Sequence, residues 1–385
     1  MRRMCANARH DWRQSVERQG LVFHTLEDGQ SPYWDESVYY LLTAREVDEL
    51  EKATYFLDRM CLEAVEHVLK ENLLEQFGIH PRWRNWLLAS WERDEQTIVG
   101  RFDLVYDGER PPALLEYNAD TPTSLLEAAV IQWFWLQDFR DAQHDPFSTL
   151  DQFNSLHENL IEAWRRVGSE VGDVVHFASL AAADSVEDYM TATYLRDTAI
   201  QAGLETASLA VEDIGWNAQR GKFVDMGENW LATVFKLYPW EWMLEEDFAD
   251  YLLASTTRWL EPPWKMILSN KALLPLLYEL FPDSPYILEA HREPWGETFV
   301  RKPIHSREGA GVSLIQQDQV IAQTWDGESG PFVYQALRPL PAFDGRHIVF
   351  GSWMVNGRAS GIGIRESDGL ITGNTSRFVP HLFYR

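Results

Sequence analysis

Cysteine is nearly absent from this chain: two residues, Cys5 and Cys61, in 385. That excludes a disulfide framework and every Cys-rich zinc pattern. Positive charge is also scarce. Lys and Arg total 34 against 59 Asp and Glu, a formal net charge of −25, the wrong balance for a general binder of nucleic acid or anionic membrane. Long hydrophobic runs are missing too. The longest, near Ala128 to Leu136, is interrupted by Gln132 and is too short to cross a bilayer. Met1-Arg2-Arg3 is basic, but no apolar leader segment follows it. There is no internal repeat, no low-complexity stretch and no Walker A pattern. The expectation is a cytoplasmic protein with neither nucleic acid nor membrane among its partners; nothing in the composition fixes its oligomeric state.

What is present is material for a large core. Apolar residues make up 45% of the chain, with 17 Trp, in a length that exceeds one typical domain. The first 98 residues read as mainly helical. From Ala44 to about Phe77, Val47, Leu50, Leu57, Cys61, Ala64, Val65 and Val68 recur at helical spacing opposite a charged face. Cys61 is thereby a core residue rather than a nucleophile. A second helix, capped by Thr123 or Ser124, should run to about Phe139. From Gly172 to Gly227 and just beyond, strands (173–178, 205–209, 232–238) alternate with a helix (186–202). After Glu297 the text turns strand-rich, at 298–302, 311–315, 331–337, 346–355 and 360–365. An α/β body joined to a mostly antiparallel α+β half fits this order. Its approximate subregions are 1–98, 99–260 and 261–385.

The densest chemistry lies in residues 99–124. Val99–Tyr106 and Ala113–Asn118 read as two strands joined by the turn cluster Asp107-Gly108-Glu109-Arg110-Pro111-Pro112. Alternate residues share a face, so Arg101 lies with Asp103, and Glu116 with Asn118. An even-length connection can set Asp103 opposite Glu116 and Arg101 opposite Asn118. Two carboxylates directly opposite repel, and a cation would resolve the conflict. Carboxylates with an amide carbonyl are hard oxygen donors suited to Mg²⁺ that also holds nucleotide phosphates. Arg101 could stabilise charge that develops in phosphoryl transfer. The same residues also suit a solvated hairpin face.

Downstream, Phe299-Val300-Arg301-Lys302 ends a strand at a lysine. Ser306-Arg307-Glu308-Gly309-Ala310-Gly311 follows, a small-residue loop that reads either as an ordinary turn or as a phosphate cradle. Lys271 stands at a helix start, where the dipole disfavours it. Gln335 and Arg338 flank a strand end, and Arg365 closes Gly361-Ile362-Gly363-Ile364-Arg365.

Taken together, Arg101-x-Asp103, Glu116-x-Asn118-x-Asp120-Thr-Pro-Thr-Ser, Ser269-Asn270-Lys271, Val300-Arg-Lys302-Pro, Ser306-Arg307-Glu308-Gly309 and Gly361-Ile-Gly-Ile-Arg365 resemble the glutathionylspermidine synthase family over nearly the whole chain. The likeness is greatest to its stand-alone acid–amine ligases. The resemblance implies an ATP-grasp fold behind an α/β substrate domain and a helical N-terminal region. It implies ATP and Mg²⁺, with Asp103, Glu116 and Asn118 on the metal and Arg101 at the transition state. ATP contacts would come from Arg101, Asp103, Lys271, Lys302, Arg307, Gly309, Gln335, Arg338, Leu370, Ile371 and Thr372. Small-molecule acid and amine substrates would meet Thr121, Thr123, Glu187, Asp188, Lys236 and Arg365. Thr121 and Thr123 stand where the bifunctional synthases have serines, so the identities of glutathione and spermidine transfer less securely than the reaction. The amidase domain of those synthases has no counterpart here, and no amidase activity is expected. The rival expectation is a nucleotide-binding regulatory protein that kept this fold without turnover, and a third is a purely structural module.

Overall fold

The computed structural model describes residues 1–26, 28–143, 149–170, 174–324, 330–373 and 375–385. It is a mixed α+β structure with three sheets around the site. The first, the hairpin sheet, is antiparallel. Its strands run in the order Arg377–Val379, Arg358–Ser367, Arg346–Val355, Val99–Val105 and Ala113–Asn118. The second, the clamp sheet, is also antiparallel, in the order Ala290–His291, Phe332–Gln335, Phe299–Pro303, Ser313–Gln316 and Gln319–Gln323. The third is parallel, in the order Arg258–Leu260, Thr233–Leu237, Val175–Ser179 and Thr206–Ala210. Its helix Val186–Gln201 crosses over between the last two strands. Asp173, the expected start of the strand 173–178, lies outside the described residues.

The long helix Ala44–Glu71 forms where the apolar spacing predicts it. Thr43 and Glu46 make a reciprocal cap: the Thr43 hydroxyl accepts from Glu46 N at 3.2 Å, and the Glu46 carboxylate accepts from Thr43 N at 2.7 Å. The helix stops at Asn72, which is left-handed, and a separate 3-10 turn, Leu74–Phe77, covers the remainder of the expected span. Its buried face, with Cys61 in it, packs on the back of the hairpin sheet. Deep in that contact the hydroxyls of Thr54 and Ser352 meet at 2.5 Å. The strand Val99–Val105, flanked in that sheet by Arg346–Val355 and Ala113–Asn118, is buried along its whole length.

Two features depart from the sequence reading. The N-terminal region also contributes strands, Arg2–Cys5 and Val38–Leu42, and the latter runs parallel to His381–Tyr384 at the far end of the chain. A pairing that distant leaves no local trace. The helix after the hairpin begins with a π-helical turn, Glu127–Ile131, and continues as Gln132–Gln143. The Ser124 hydroxyl does not cap it; that residue is left-handed and its hydroxyl accepts from Arg101 instead. No helix among the described residues is long and apolar enough to cross a membrane.

One buried cluster anchors the hairpin. The Glu261 carboxylate accepts from Ile98 N at 3.0 Å and Val99 N at 2.8 Å, and from Lys265 Nζ at 2.8 Å; Lys265 also donates to the Val99 carbonyl at 2.8 Å. Both side chains are almost fully buried. Replacing Glu261 by Ala strands the Lys265 charge, and the expected loss of stability is about 3–5 kcal/mol. Urea denaturation of Glu261→Ala reads this directly, and a variant as stable as the parent would show that the cluster is not an anchor.

Candidate functional site

The three sheets meet around a cavity of about 660 Å³, within the range of small-molecule sites. The hairpin sheet supplies its floor, the clamp sheet the opposite wall, and the carboxyl end of the parallel strand Thr233–Leu237, with the start of the helix Val186–Gln201, a third side. Ligands collect at that edge of parallel sheets.

The hairpin register sets the floor. Asp103 pairs with Glu116 and Arg101 with Asn118, and period-two geometry puts all four on one face. All four line the cavity. Between Asp103 and Leu104 the register shifts, leaving Leu115 as the extra residue of a bulge. Its carbonyl accepts from Lys302 Nζ at 2.9 Å. Lys302 also donates to Gln335 Oε1 at 2.7 Å, and Gln335 Nε2 donates to the Leu114 carbonyl at 2.9 Å. The bulge therefore fastens the clamp wall to the floor.

Arg101 lies flat along the sheet. Its Nε donates to Asp103 Oδ1 at 2.8 Å, and its Nη1 to the Thr123 carbonyl at 2.7 Å and Ser124 Oγ at 2.9 Å. Gly351 on the neighbouring strand makes this possible, since a Cβ there would come within 2.9 Å of Arg101 Cδ. Arg365 donates to the other Asp103 oxygen at 2.5 Å. Across the hairpin, Glu116 pairs with Lys271 Nζ at 3.1 Å and accepts from Asn118 Nδ2 at 3.2 Å. Burial alone would raise the Glu116 carboxyl, but the Lys271 and Lys302 charges outweigh it and hold the group well below the usual carboxylate range. Burial lowers Lys302 to about 8, against the pull of Glu116.

A divalent cation fits this floor only if it is shared. No cluster of three or more His, Cys, Asp or Glu suited to a metal occurs among the described residues. Two carboxylates and the Asn118 carbonyl are what the hairpin offers, and Mg²⁺ is usually held by one or two carboxylates plus substrate phosphates. The opposite wall suits an oxyanion. Arg338 lines the cavity with its Nε and Nη2 buried and without a partner, and the Thr372 hydroxyl there is likewise unpartnered. Groups left so are costly unless a ligand satisfies them. Gly309, at φ +72°, approaches the 370–372 loop so closely that a Cβ would lie 2.5 Å from the Thr372 carbonyl oxygen.

Most of the residues singled out from sequence line this one cavity: Arg101, Asp103, Glu116, Asn118, Thr121, Thr123, Glu187, Asp188, Lys302, Arg307, Gly309, Gln335, Arg338, Arg365, Leu370, Ile371 and Thr372. Two stand behind it. Lys271 reaches Glu116 and the Ser306 carbonyl, the latter at 2.6 Å, which accounts for its place before the helix Leu273–Leu280. Lys236, expected at the substrate, is instead sealed in the wall. Its Nζ donates to Asp120 Oδ1 at 2.6 Å and the Tyr238 carbonyl at 2.9 Å. The family resemblance pointed it at the site, but Asp120 takes the charge first. Asp120 also accepts from Trp240 N at 2.9 Å, and its own N donates to Ser269 Oγ at 2.7 Å. That set fixes the backbone just ahead of Thr121. Glu187 and Asp188 open the helix Val186–Gln201, capped by Ser185, and burial raises both carboxyls. Sequence reasoning missed Tyr33 and Trp242 in the lining and Glu127 behind it. An isolated aromatic and a glutamate on a helix carry no local signal.

Known proteins resemble this chain over nearly its whole length. Residues 3–384 match the family described as glutathionylspermidine synthase preATP-grasp. A Haemophilus influenzae protein with the provisional name acid–amine ligase is 38% identical over 390 aligned positions, covering 97% of each chain. Trypanothione synthetase of Crithidia fasciculata is 31% identical over 77% of this chain and 48% of its own length. The bifunctional glutathionylspermidine synthetase/amidase of Escherichia coli is 30% identical over 92% of this chain and 60% of its own. This chain thus spans about half to three-fifths of those two longer relatives. Among solved structures, a glutathione synthetase-like effector from Globodera pallida, in its apo form, superposes with a TM-score of 0.59 at 12% identity, over 96% of this chain and 94% of that one. At that identity the likeness concerns the fold alone.

The Lys302 ammonium loses its proton as pH rises through about 8, removing positive charge from the oxyanion wall. Affinity for tripolyphosphate should fall by up to about tenfold per pH unit above that point. Lys302→Gln should flatten the dependence relative to the parent. Calorimetric titration between pH 6.5 and 9.5 tests this, and parallel slopes for the two proteins would remove Lys302 from the wall's electrostatics.

Proposed function

The chain belongs to the glutathionylspermidine synthase family of carbon–nitrogen ligases, and from that membership we propose that it is an ATP- and Mg-dependent acid–amine ligase of ATP-grasp fold. The observation that carries the reading is the hairpin register. It sets Asp103 against Glu116 beneath a wall that offers Lys302, Gln335 and an unpartnered Arg338. Two antiparallel sheets with a cavity between them suit a nucleotide held as in a clamp. Its phosphates would lie toward Lys302, Lys271 and the loop from Arg307 to Gly309. The remaining nucleotide contacts would come from Gln335 to Arg338 and from Leu370 to Thr372.

Magnesium on Asp103, Glu116 and the Asn118 carbonyl would supply charge neutralisation to the phosphate oxygens. The acid substrate's carboxylate attacks the γ-phosphorus of ATP, giving an acyl phosphate and ADP. The amine then attacks the acyl carbon, phosphate departs with the electron pair of the C–O bond, and the nitrogen's surplus proton goes to that phosphate. A carboxylate is already a competent nucleophile, so no Ser-His-Asp arrangement is required. Thr121 and Thr123 would orient the acid, with Arg365 at its acyl-phosphate end. Arg101 would meet the charge that develops in transfer. Glu187 and Asp188 would attract the amine's cationic groups. Lys236 would act on the acid only through Asp120, by holding the backbone before Thr121. A glutathione-like peptide acid and a polyamine-like amine are the substrate classes we favour. The need for ATP and the two unpaired cysteines suit the cytoplasm.

ADP release from Mg·ATP, measured against a matrix of glutathione, other peptide acids and polyamines with mass spectrometry of the products, tests the proposal. It should require both an acid and an amine and yield the condensed mass, and Glu116→Ala should abolish it. Arg101→Ala should lower kcat by about 10²-fold or more. Mg·ATP binding without turnover under every pair would replace the ligase reading with that of a nucleotide-binding regulator.

A further inference from the structure

An amine that reaches the acyl phosphate at neutral pH arrives as an ammonium, since alkylamines hold their proton to about pH 10, and its nitrogen has no pair to attack with. Something in the cavity must take the proton. On the floor, Asp103 is committed to two arginines, and Glu116 is held ionised by the lysines, so neither is a ready acceptor. A different group stands at the same end. Tyr33 lines the cavity, and its hydroxyl donates to Glu127 Oε1 at 2.7 Å. Its ring is fixed between Phe23 and Phe378, with centroids 5.2 and 5.1 Å away. Glu127 is 1% exposed and opens the π-helical turn Glu127–Ile131, a local distortion of the kind that collects at functional sites.

We propose that Tyr33 and Glu127 form a proton relay for the incoming amine, an inference that rests on the ligase reading above. The ammonium N–H bond breaks and its proton goes to Tyr33 Oη. The phenolic proton passes at the same time to Glu127 Oε1. The freed nitrogen pair forms the C–N bond, the acyl C–O bond breaks with its electrons leaving on phosphate, and the second N–H proton that the amide must shed goes to an oxygen of that departing phosphate.

The surroundings suit each partner to its part. Burial, and then the charge of Glu187, push the Glu127 carboxyl up to about 7, while Tyr33, its own backbone amide and Arg101 act the other way. Acceptors near the working pH are the efficient ones. Burial, Glu127 and Glu187 raise Tyr33 far above its ordinary value, opposed by Arg365, so the phenol passes a proton and does not rest as phenolate. Glu187, in the lining itself, attracts the ammonium to this end.

The test compares two nucleophiles, spermidine and hydroxylamine, with glutathione and Mg·ATP; hydroxylamine is uncharged at pH 7 and needs no base. Glu127→Gln and Tyr33→Phe should each lose about 10²-fold or more in amide formation with spermidine and less than about tenfold in hydroxamate formation. The limb near pH 7 in the parent's amide-forming rate should vanish in Glu127→Gln. Equal losses for both nucleophiles, or a limb that persists in Glu127→Gln, would reduce the pair to a structural contact. Normal amide formation by both variants would leave the ligase and remove the relay. A parent protein that gives neither hydroxamate nor amide with any peptide acid would remove the ligase reading, and the relay with it.

Discussion

The structure turns on two carboxylates that the hairpin register forces to face each other. Asp103 and Glu116 occupy directly paired positions, the first buried and the second half-buried, where like charges repel and water screens them only in part. The surrounding fold compensates. Arg101 comes from the same strand, Arg365 from two strands away, Lys271 from the turn before a helix and Lys302 from the facing sheet. Four basic groups are thus gathered around these two acids, while Glu187, Asp188 and Glu308 stand elsewhere in the lining.

The same charges explain how the halves of the cavity stay in register. Lys302 answers both to Glu116 and to the carbonyl freed by the bulge at Leu115. Gln335 reaches from the clamp sheet to the Leu114 carbonyl. A floor and a wall built from separate sheets are thus joined by polar contacts whose alternatives are buried and unsatisfied. On the remaining side, Asp120 and Lys236 tie the chain beyond the hairpin to the parallel sheet.

What was legible in the sequence follows from range. The hairpin could be read because alternation and turn chemistry are local, and they fix which side chains share a face. The long helix and three of the four parallel strands followed from their own patterns, while the short Arg258–Leu260 was missed. The second partner of Val99–Val105 could not be read, because it is Arg346–Val355, and nothing near either strand records the pairing. The strands Arg2–Cys5 and Val38–Leu42 escaped for the same reason. At the site, Lys236 looked free because its pairing with Asp120 spans the fold. Tyr33 and Glu127 become visible only when two distant segments are seen to meet.

The hairpin sheet has one further consequence, for the chain as it is made. Its inner strand, carrying Arg101 and Asp103, is flanked on one side by Ala113–Asn118 and on the other by Arg346–Val355, beyond which lie Arg358–Ser367 and Arg377–Val379. During synthesis the acidic hairpin leaves the ribosome long before Lys302, Arg365 and the closing strands exist. Pairings so far apart in sequence form slowly and late. The nascent chain therefore carries the two opposed carboxylates without most of their counter-charges until translation is nearly complete, and a prematurely terminated product cannot assemble the cavity at all.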